Sequence, residues 1–443
     1  MITLDYQNVM ASKVGALHGI DAGDLDRAIA ATGGLCRRFG EESAQGLYGF
    51  ALLPHDDAPA RAVLNFAAER RGTVKNFVQI GIGGSALGAI ALHSALAPDS
   101  RPRFYCLDNV DPEEAHALFE KVDPKETLYH IVTKSGDTTE TMAGFLVALH
   151  RLREVLGEKW KKNLVFTTDP EKGFLRKFAR EQAIPTFDLP GNVGGRFSVL
   201  TPVGLLPAAM MGVDPVAILA GARRADEVSK RIDPRRNPAF LFALIAHLLD
   251  TKKGKRIHVM MSYSRALRDV ADWFRQLWAE SLGKNPNVGP TPVLALGATD
   301  QHSQVQLYTE GPNDKFTIFL ECAKFRADLR IPEALPKDAP PAFLYGRSFS
   351  DVLAAMKSGT ESALTQAERP NATLRFDEIS ASSLGEIFYL LEAATLYAGR
   401  LYDVNPFDQP GVEAGKRAAF GLLGKPGATR PPPVVPDPRY IVD

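Results

Sequence analysis

The apolar residues of the chain fall in short runs rich in Val, Ile and Phe, and longer segments with helical spacing separate several of these runs. Short runs of this kind predict buried strands. The predicted strands are residues 77–80, 104–107, 128–133, 164–167, 256–261, 293–296 and 317–321. Helical spacing occupies residues 85–96 and 138–156. This alternation predicts an α/β fold in which mostly parallel sheets are flanked by helices.

The two series of strands predict two domains. We place the first at residues 55–210 and the second at residues 235–423, with residues 211–234 as the connection. Residues 1–54 are predicted to form a helical N-terminal arm. The tail, residues 424–443, contains three consecutive prolines, which are typical of an extended polyproline segment.

Composition and charge narrow the class of protein. The 443 residues are 45% hydrophobic and 23% charged, which is typical of a globular protein. Lys plus Arg equals Asp plus Glu at 52 each, and this balance argues against general nucleic-acid binding. The sequence has no leader pattern and no apolar run long enough to span a bilayer. We therefore expect a cytoplasmic protein without nucleic-acid or membrane partners.

The cysteines and histidines do not predict a metal site. Cys36, Cys106 and Cys322 are odd in number and far apart, and the chain has no C-x-x-C pair. No H-x-x-x-H or H-E-x-x-H spacing occurs either. A disulfide framework and a zinc site are therefore not expected.

A glycine-rich turn follows the first predicted strand at residues 81–88 and includes Gly84 and Ser85. Glycines let the backbone approach a ligand, and the free amides at the start of a helix favour an anion. Read as G-x-G-x-x-A, the turn also fits a dinucleotide fingerprint, with Asp108 as the ribose-binding acid. A tight turn without a ligand is a further alternative.

A second polar turn, residues 133–141, also lies between a strand and a helix. Hydroxyls and one lysine converge there at the positive end of the helix dipole, which suits a phosphate monoester. The candidate ligands are Thr133, Lys134, Ser135 and Thr138. The alternative is a helix cap built on Thr138. Two such turns at the carboxyl ends of strands in one sheet favour a phosphorylated small molecule over a dinucleotide.

Four further segments carry candidate chemistry. They hold Gly195 with Arg196, Gln276 with Glu280, His302, and Lys416. Arg196 keeps its charge at any working pH, a carboxylate such as Glu280 can act as a base, and His302 suits proton transfer near neutral pH. Each segment also has an ordinary alternative: a solvated Arg or Lys, a surface pair of Glu280 with Lys284, and a His held by a neighbouring Asp or a backbone carbonyl.

The order of these six motifs resembles the glucose-6-phosphate isomerase family, particularly its shorter bacterial form. The most specific pieces are G-I-G-G-S-x-L-G, G-G-R-F-S-V-L, Q-L-x-x-E-S-x-G-K and Q-P-G-V-E-x-G-K, and the resemblance covers residues 75–420. It implies two sugar-isomerase-type domains. It also implies reversible, cofactor-free conversion of glucose 6-phosphate to fructose 6-phosphate through a cis-enediol, as in glycolysis and gluconeogenesis.

The resemblance also implies roles for individual residues. It implies phosphate binding by residues of the first two turns: Gly84, Ser85, Thr133, Lys134, Ser135 and Thr138. Glu280 would move a proton between C2 and C1, Gly195 would contribute to substrate binding, and the neighbouring Arg196 would stabilise the enediolate. His302 and Lys416 would open the sugar ring, and Gln276 would orient the substrate. The family forms homodimers with a shared active site, so His302 is expected from the partner chain.

Two positions depart from the family pattern. Asp137 lies in the phosphate turn where many relatives carry a hydroxyl, and Leu282 stands where a polar residue is frequent. Two other functions stay open from the residues alone: a phosphosugar-binding regulator and an NAD-dependent dehydrogenase. The residues also do not decide whether mannose 6-phosphate is accepted, because that epimer differs only at C2.

Overall fold

The computed structural model describes residues 2–442. The strands are β1 (Thr3–Asp5), β2 (Asn76–Ile80), β3 (Arg103–Leu107), β4 (Thr127–Val132), β5 (Leu164–Thr168), β6 (Thr186–Asp188), β7 (Ile257–Ser262), β8 (Thr291–Leu296), β9 (Lys315–Lys324) and β10 (Asn371–Glu378). The helices are α1 (Ala11–His18), α2 (Ala22–Thr32), α3 (Gly34–Ala44), α4 (Gly49–Leu52), α5 (Ala58–Arg70), α6 (Leu87–Leu96), α7 (Pro112–Lys121), α8 (Thr139–Leu156), α9 (Phe174–Gln182), α10 (Pro202–Met210), α11 (Pro215–Ser229), α12 (Pro238–Lys253), α13 (Arg268–Leu282), α14 (Val305–Glu310), α15 (Phe349–Gln366), α16 (Ala381–Leu401) and α17 (Glu413–Leu422).

Two five-stranded sheets form the framework. The first has the order β3-β2-β4-β5-β6 and is parallel throughout. The second has the order β1-β10-β9-β7-β8, in which only the β1–β10 pair is antiparallel. All positions of β4 and β5 are buried, as expected for parallel strands covered by helices on both faces. The predicted α/β fold is confirmed.

The N-terminal arm contributes to the second sheet. The segment predicted as a helical arm contains α1 to α4, and it also contains β1, which was not predicted. Thr3 pairs with Arg375 and Asp5 pairs with Thr373, so β1 covers an edge of β10 that would otherwise be open. The division of the chain into domains at residues 55–210 and 235–423 stays a prediction.

Helices α11, α12 and α16 pack together in the core of the protein. Helix α16 is buried from Leu384 to Gly399 and packs on α11 and α12. Its crossing with α11 is so close that a side chain at Gly385 would lie 1.8 Å from the Ile218 carbonyl oxygen. Glycine is required there because any Cβ would push the two helices apart. Within residues 2–442, no helix is both long and apolar enough to cross a membrane.

Glu392 is an unusual feature of this buried helix. Its side chain is 0% exposed, and neither carboxylate oxygen has a hydrogen-bond partner among the described residues. Burial raises the pKa of Glu392 well above its ordinary value, because an isolated charge is poorly solvated in the core. The folded chain therefore binds this proton more tightly than the unfolded chain does.

This proton makes stability depend on pH. Below the ordinary carboxyl range Glu392 is protonated in both states, and above it the unfolded chain loses the proton first. The free energy of unfolding should therefore fall as the pH rises from about 4.5 towards the raised folded pKa of Glu392. Glu392→Gln should remove this component, so that its melting temperature relative to the unmodified protein rises between pH 5 and pH 8. A pH-independent difference in calorimetry would contradict the prediction.

Candidate active site

The two predicted phosphate turns lie side by side at one edge of the first sheet. They follow β2 and β4, which are neighbouring parallel strands with Asn76 opposite Thr127. The next strand after β2 lies on one side of it and β4 lies on the other, so the strand order reverses between them. Ligands of open α/β sheets bind at such a reversal point, beyond the carboxyl ends of the strands.

The glycine turn packs directly against the turn that carries Arg196. Gly83 has a φ of +58°, which favours glycine. A side chain at Gly84 would lie 2.2 Å from the carbonyl oxygen of Gly195, so the two turns could not meet if Gly84 were larger. This contact explains why position 84 is a glycine, so the close approach of a dinucleotide is not needed to explain it. The half-buried Ser85 ends the short 3-10 turn and lies before α6.

The second turn presents three hydroxyl groups to one another. The Thr133 and Thr138 oxygens are 2.7 Å apart, and Ser135 Oγ is 3.4 Å from each of them. Thr138 occupies the N-cap position of α8, yet its side chain makes no capping hydrogen bond. The Thr138 side chain therefore does not cap α8, contrary to the alternative interpretation of this turn. Three hydroxyls close to a helix N-terminus are instead available to an anion.

The ammonium group of Lys134 leaves this cluster of hydroxyls. It donates to the carbonyl oxygens of Gly191 at 2.7 Å and Val193 at 2.9 Å. Burial lowers the pKa of Lys134, and the Asp169 carboxylate partly opposes the change. In this structure Lys134 holds the loop that leads to Gly195, and only its backbone remains in the phosphate turn.

Asp137, the departure from the family pattern, is exposed. Its carboxylate lies 4.0 Å from the ammonium of Lys425, beyond the end of α17. Its backbone N–H donates to Ser135 Oγ at 3.4 Å. The backbone of Asp137 thus takes part in the turn, while its carboxylate lies near the ammonium of Lys425.

Glu280 pairs with Arg196 across two elements. Arg196 Nη1 lies 3.2 Å from Glu280 Oε1, and Gln276 Nε2 donates to Glu280 Oε2 at 3.0 Å. Both carboxylate oxygens therefore have a defined partner. The alternative surface pair with Lys284 does not form, because the Lys284 ammonium binds Asp408.

Arg196 is held by a dense set of acceptors. Only 3% of its surface is exposed. Its other partners are Ser281 Oγ at 2.7 Å, Gln409 Oε1 at 3.0 Å and the carbonyl oxygens of Pro406 at 2.5 Å and Asp408 at 3.0 Å. Burial lowers the pKa of Arg196, while the Glu280 and Asp408 carboxylates oppose that change. These hydrogen bonds keep the guanidinium, and with it the positive charge, in one orientation.

Gln276 links the carboxylate to the glycine turn. A side chain at Gly83 would lie 2.9 Å from Gln276 Nε2, so the amide lies directly against this turn. Gln276 Oε1 is buried and has no hydrogen-bond partner among residues 2–442. An unpaired buried acceptor costs free energy unless a ligand donates to it. The amide therefore has one acceptor left for a hydroxyl group.

His302 and Lys416 lie outside this group of contacts. His302 is exposed, and the nearby Asp300 instead accepts from the Leu296 N–H and the Ser303 hydroxyl, both at 2.7 Å. The alternative in which a neighbouring Asp holds His302 is thus not observed among residues 2–442. Lys416 is exposed on α17 and donates to Glu413 Oε1 at 3.0 Å. Among the hydrogen bonds of residues 2–442, none joins either side chain to Glu280 or Arg196.

The structure adds functional candidates that sequence reasoning did not select. Ser281 and Gln409 both bind Arg196, and their signals were their places beside Glu280 and at the start of the Q-P-G-V-E motif. Leu282, the second departure from the family pattern, is 0% exposed and belongs to the core. No cluster of three or more His, Cys, Asp or Glu side chains suited to a metal occurs in residues 2–442.

The fold and the site together define the class of protein. A hydroxyl-rich turn at a strand reversal point suits a phosphate, and a carboxylate with a fixed guanidinium suits proton transfer beside a developing negative charge. These are the parts of an α/β enzyme that acts on a phosphorylated small molecule.

Comparison with known proteins identifies the family. Residues 65–429 match the family Phosphoglucose isomerase. The chain is 44% identical to a glucose-6-phosphate isomerase of Carboxydothermus hydrogenoformans, covering 91% of each chain. It is 43% identical to one of Rubrobacter xylanophilus, covering 96% of this chain and 99% of that one. The crystal structure of a hypothetical protein from Thermus thermophilus is 38% identical, with a TM-score of 0.85 over 96% of this chain and 100% of that chain.

The chain belongs to the phosphoglucose isomerase family. The resemblance inferred from the six motifs is confirmed.

Proposed function

We propose that the protein catalyses the reversible isomerisation of glucose 6-phosphate and fructose 6-phosphate. The observation that carries this proposal is the continuous chain of contacts from Gly83 through Gln276 and Glu280 to Arg196. These contacts bring one carboxylate and one guanidinium to the glycine turn, and the strand before this turn is the neighbour of the strand before the hydroxyl-rich turn. The activity is that of the named relatives, and it supports a role in glycolysis and gluconeogenesis and a cytoplasmic location.

The phosphate group is proposed to bind between the two turns. The hydroxyls of Thr133, Ser135 and Thr138, together with Ser85 and the backbone beside Gly84, are the donors. Lys134 contributes its backbone amide, and its ammonium stabilises the loop of Gly191 and Val193. Binding a dianion at one end of the sugar holds the reacting carbons in place at the other.

Glu280 is proposed as the base that removes the proton from C2 of the aldose and returns it to C1. The developing enediolate then carries negative charge on the oxygens of C1 and C2. Arg196 lies 3.2 Å from the base and is oriented by Ser281 and the loop carbonyls, so it is placed to stabilise that charge. The free Oε1 of Gln276 accepts a sugar hydroxyl and orients the ring-opened chain.

Ring opening is assigned to His302 and Lys416. The exposed His302 would reach the active site of a second subunit, so the proposed state is a homodimer with shared sites. Lys416 must exchange its Glu413 partner for the substrate to take part. No cofactor has a step in this mechanism.

Replacement of a hydroxyl in the phosphate turn should weaken substrate use. Thr138→Val removes a donor to a charged phosphate, a bond worth about 1.5–3 kcal/mol, so kcat/KM should fall roughly 10- to 100-fold. The matched control is Thr251→Val, because the Thr251 hydroxyl bonds only the His247 carbonyl of its own helix at 2.7 Å. Steady-state kinetics with fructose 6-phosphate measures both variants. Equal kcat/KM values for the two would remove Thr138 from the phosphate site.

A mixed dimer tests whether His302 acts in the partner's active site. One subunit carries Glu280→Gln and the other His302→Ala, and two affinity tags isolate the mixed species. If the sites are shared, each mixed dimer has one complete site and about half of the normal activity, while both parent dimers are nearly inactive. If His302 acts within its own chain, neither site of the mixed dimer is complete. An inactive mixed dimer would therefore contradict the shared site.

Turnover by the purified protein separates this function from its alternatives. A phosphosugar-binding regulator would bind glucose 6-phosphate without converting it, and a dehydrogenase would bind a nicotinamide nucleotide. Direct detection of the sugar phosphates by NMR should show conversion of fructose 6-phosphate to glucose 6-phosphate without added cofactor. Binding without conversion, or conversion only with NAD, would overturn the proposal.

A further inference from the structure

The loop 405–409 is part of the connection between α16 and α17 and lies against Arg196. Pro406 is buried and packs 3.0 Å from where a side chain at Gly399 would lie. The Phe407 ring lies 5.2 Å from the Phe197 ring, measured between centroids. These apolar contacts attach one side of the loop to the core, and the next residue, Asp408, faces two cations.

Lys284 is the first of these cations. Its side chain is only 10% exposed, and its ammonium donates to the Asp408 carbonyl oxygen and, at 2.9 Å, to Asp408 Oδ1. Helix α13 ends at Leu282, and Gly283 leaves the helical conformation with a ψ of 78°. Lys284 is therefore directed away from Glu280 and towards the loop.

Arg196 is the second cation, and it shares an acceptor with Lys284. Arg196 Nη2 donates to the same Asp408 carbonyl oxygen at 3.0 Å, while Nη1 lies 3.2 Å from Glu280 Oε1. The guanidinium thus bridges the proposed base and the loop. Any shift of Asp408 would be transmitted to the group that faces Glu280.

The Asp408 carboxylate gives Lys284 an electrostatic function. Its two oxygens accept from Lys284 and from Asn405 Nδ2 at 3.0 Å. Hydrogen bonding and the nearby charge of Lys284 lower the pKa of Asp408, and Arg196 contributes to the same effect. Without Lys284, the carboxylate would keep Arg196 as its nearest strong cation and would compete with Glu280 for it.

We propose that Lys284 is a positioning residue for the isomerisation: it holds Asp408 so that Arg196 stays directed at Glu280 and the reacting carbons. The inference rests on the proposed function. It predicts that Lys284 affects the chemical step more than substrate binding, because neither phosphate turn contacts Lys284 or Asp408 through a hydrogen bond among residues 2–442.

Lys284→Met should lower kcat about 10- to 100-fold, since small displacements of a catalytic group are costly, while KM changes less than about threefold. Asp408→Asn should have a much smaller effect, because the loop carbonyl remains and no carboxylate competes for Arg196. The double variant Lys284→Met/Asp408→Asn should recover most of the lost kcat. Lys252→Met is the matched control: it removes an exposed lysine near the end of α12 and should leave both constants unchanged.

The outcomes separate a positioning role from a purely structural one. If Lys284 only stabilises the fold, Lys284→Met lowers the melting temperature but leaves kcat per folded molecule unchanged, and Asp408→Asn gives no rescue; either result overturns the proposal. If Lys284→Met does not fold, a kcat loss in Asp408→Asn larger than about 10-fold overturns it instead, because the carboxylate would then be needed rather than held in check. Absence of turnover in the unmodified protein would refute the proposed function and this inference with it, whereas the variant results above overturn the inference alone.

Discussion

Glu280→Gln is expected to abolish turnover while substrate still binds. A general base contributes about 10²- to 10⁴-fold to a proton transfer, and this reaction has one carbon-bound proton to move, so kcat should fall by about 10²- to 10⁴-fold. The amide keeps the shape of the side chain and can still accept from Arg196 Nη1, now 3.2 Å from Glu280 Oε1. Binding should therefore change little, because we propose that the phosphate turns contribute most of it.

Two measurements check this expectation. A coupled fructose 6-phosphate assay gives kcat, and calorimetry with the same sugar phosphate gives Kd. The matched control is Glu310→Gln, which removes an exposed carboxylate at the end of α14 that bonds only Gln306 at 3.1 Å. Near-normal turnover of Glu280→Gln would show that another group is the base.

Arg196→Gln should produce the second largest loss, in both activity and stability. Removing one donor to a developing oxyanion costs about 10²- to 10³-fold in kcat. The replacement also leaves Glu280 without its cation and Ser281 and the Pro406 carbonyl without their donor. Breaking a fully buried pair costs about 3–5 kcal/mol, and because the Glu280 side chain is 26% exposed, the free energy of unfolding in urea should fall by less than that amount.

Arg176 provides the control for the loss of a buried arginine. It is 7% exposed and binds the Thr186 hydroxyl at 2.7 Å and the Asp188 carboxylate at 2.5 Å, beside β6 and outside the site. Arg176→Gln should destabilise the fold but leave kcat per folded molecule unchanged. If Arg196→Gln shows the same pattern as Arg176→Gln, the guanidinium has only a structural role.

Much of the fold could be predicted from local patterns. The runs at β2, β4 and β5 are mostly apolar and buried along almost their whole length because helices cover both faces, and this is the signal that sequence reasoning detects well. By contrast, β1 and β6 are only three residues long. The last strand, β10, ends in the exposed Asp377 and Glu378, so its pattern is only partly apolar.

Within the site, the sequence predicted which residues are involved better than it predicted where their side chains point. A lysine in a phosphate turn suggests a phosphate ligand, but the ammonium of Lys134 binds carbonyls of a loop 57 residues away in the chain. The spacing of Glu280 and Lys284 suggests an ion pair, but α13 ends between them. Helical spacing stops being informative where the helix stops, and contacts across long separations have no local signal.

The structure of the protein with a phosphorylated five-carbon acid that mimics the enediolate tests the central claim most directly. We expect its phosphate within hydrogen-bond distance of the Thr133, Ser135 and Thr138 hydroxyls, its carboxylate against Arg196, and Glu280 beside the carbons that correspond to C1 and C2. A ligand bound away from the two turns, or a Glu280 carboxylate that faces solvent and lies far from the ligand, would contradict it.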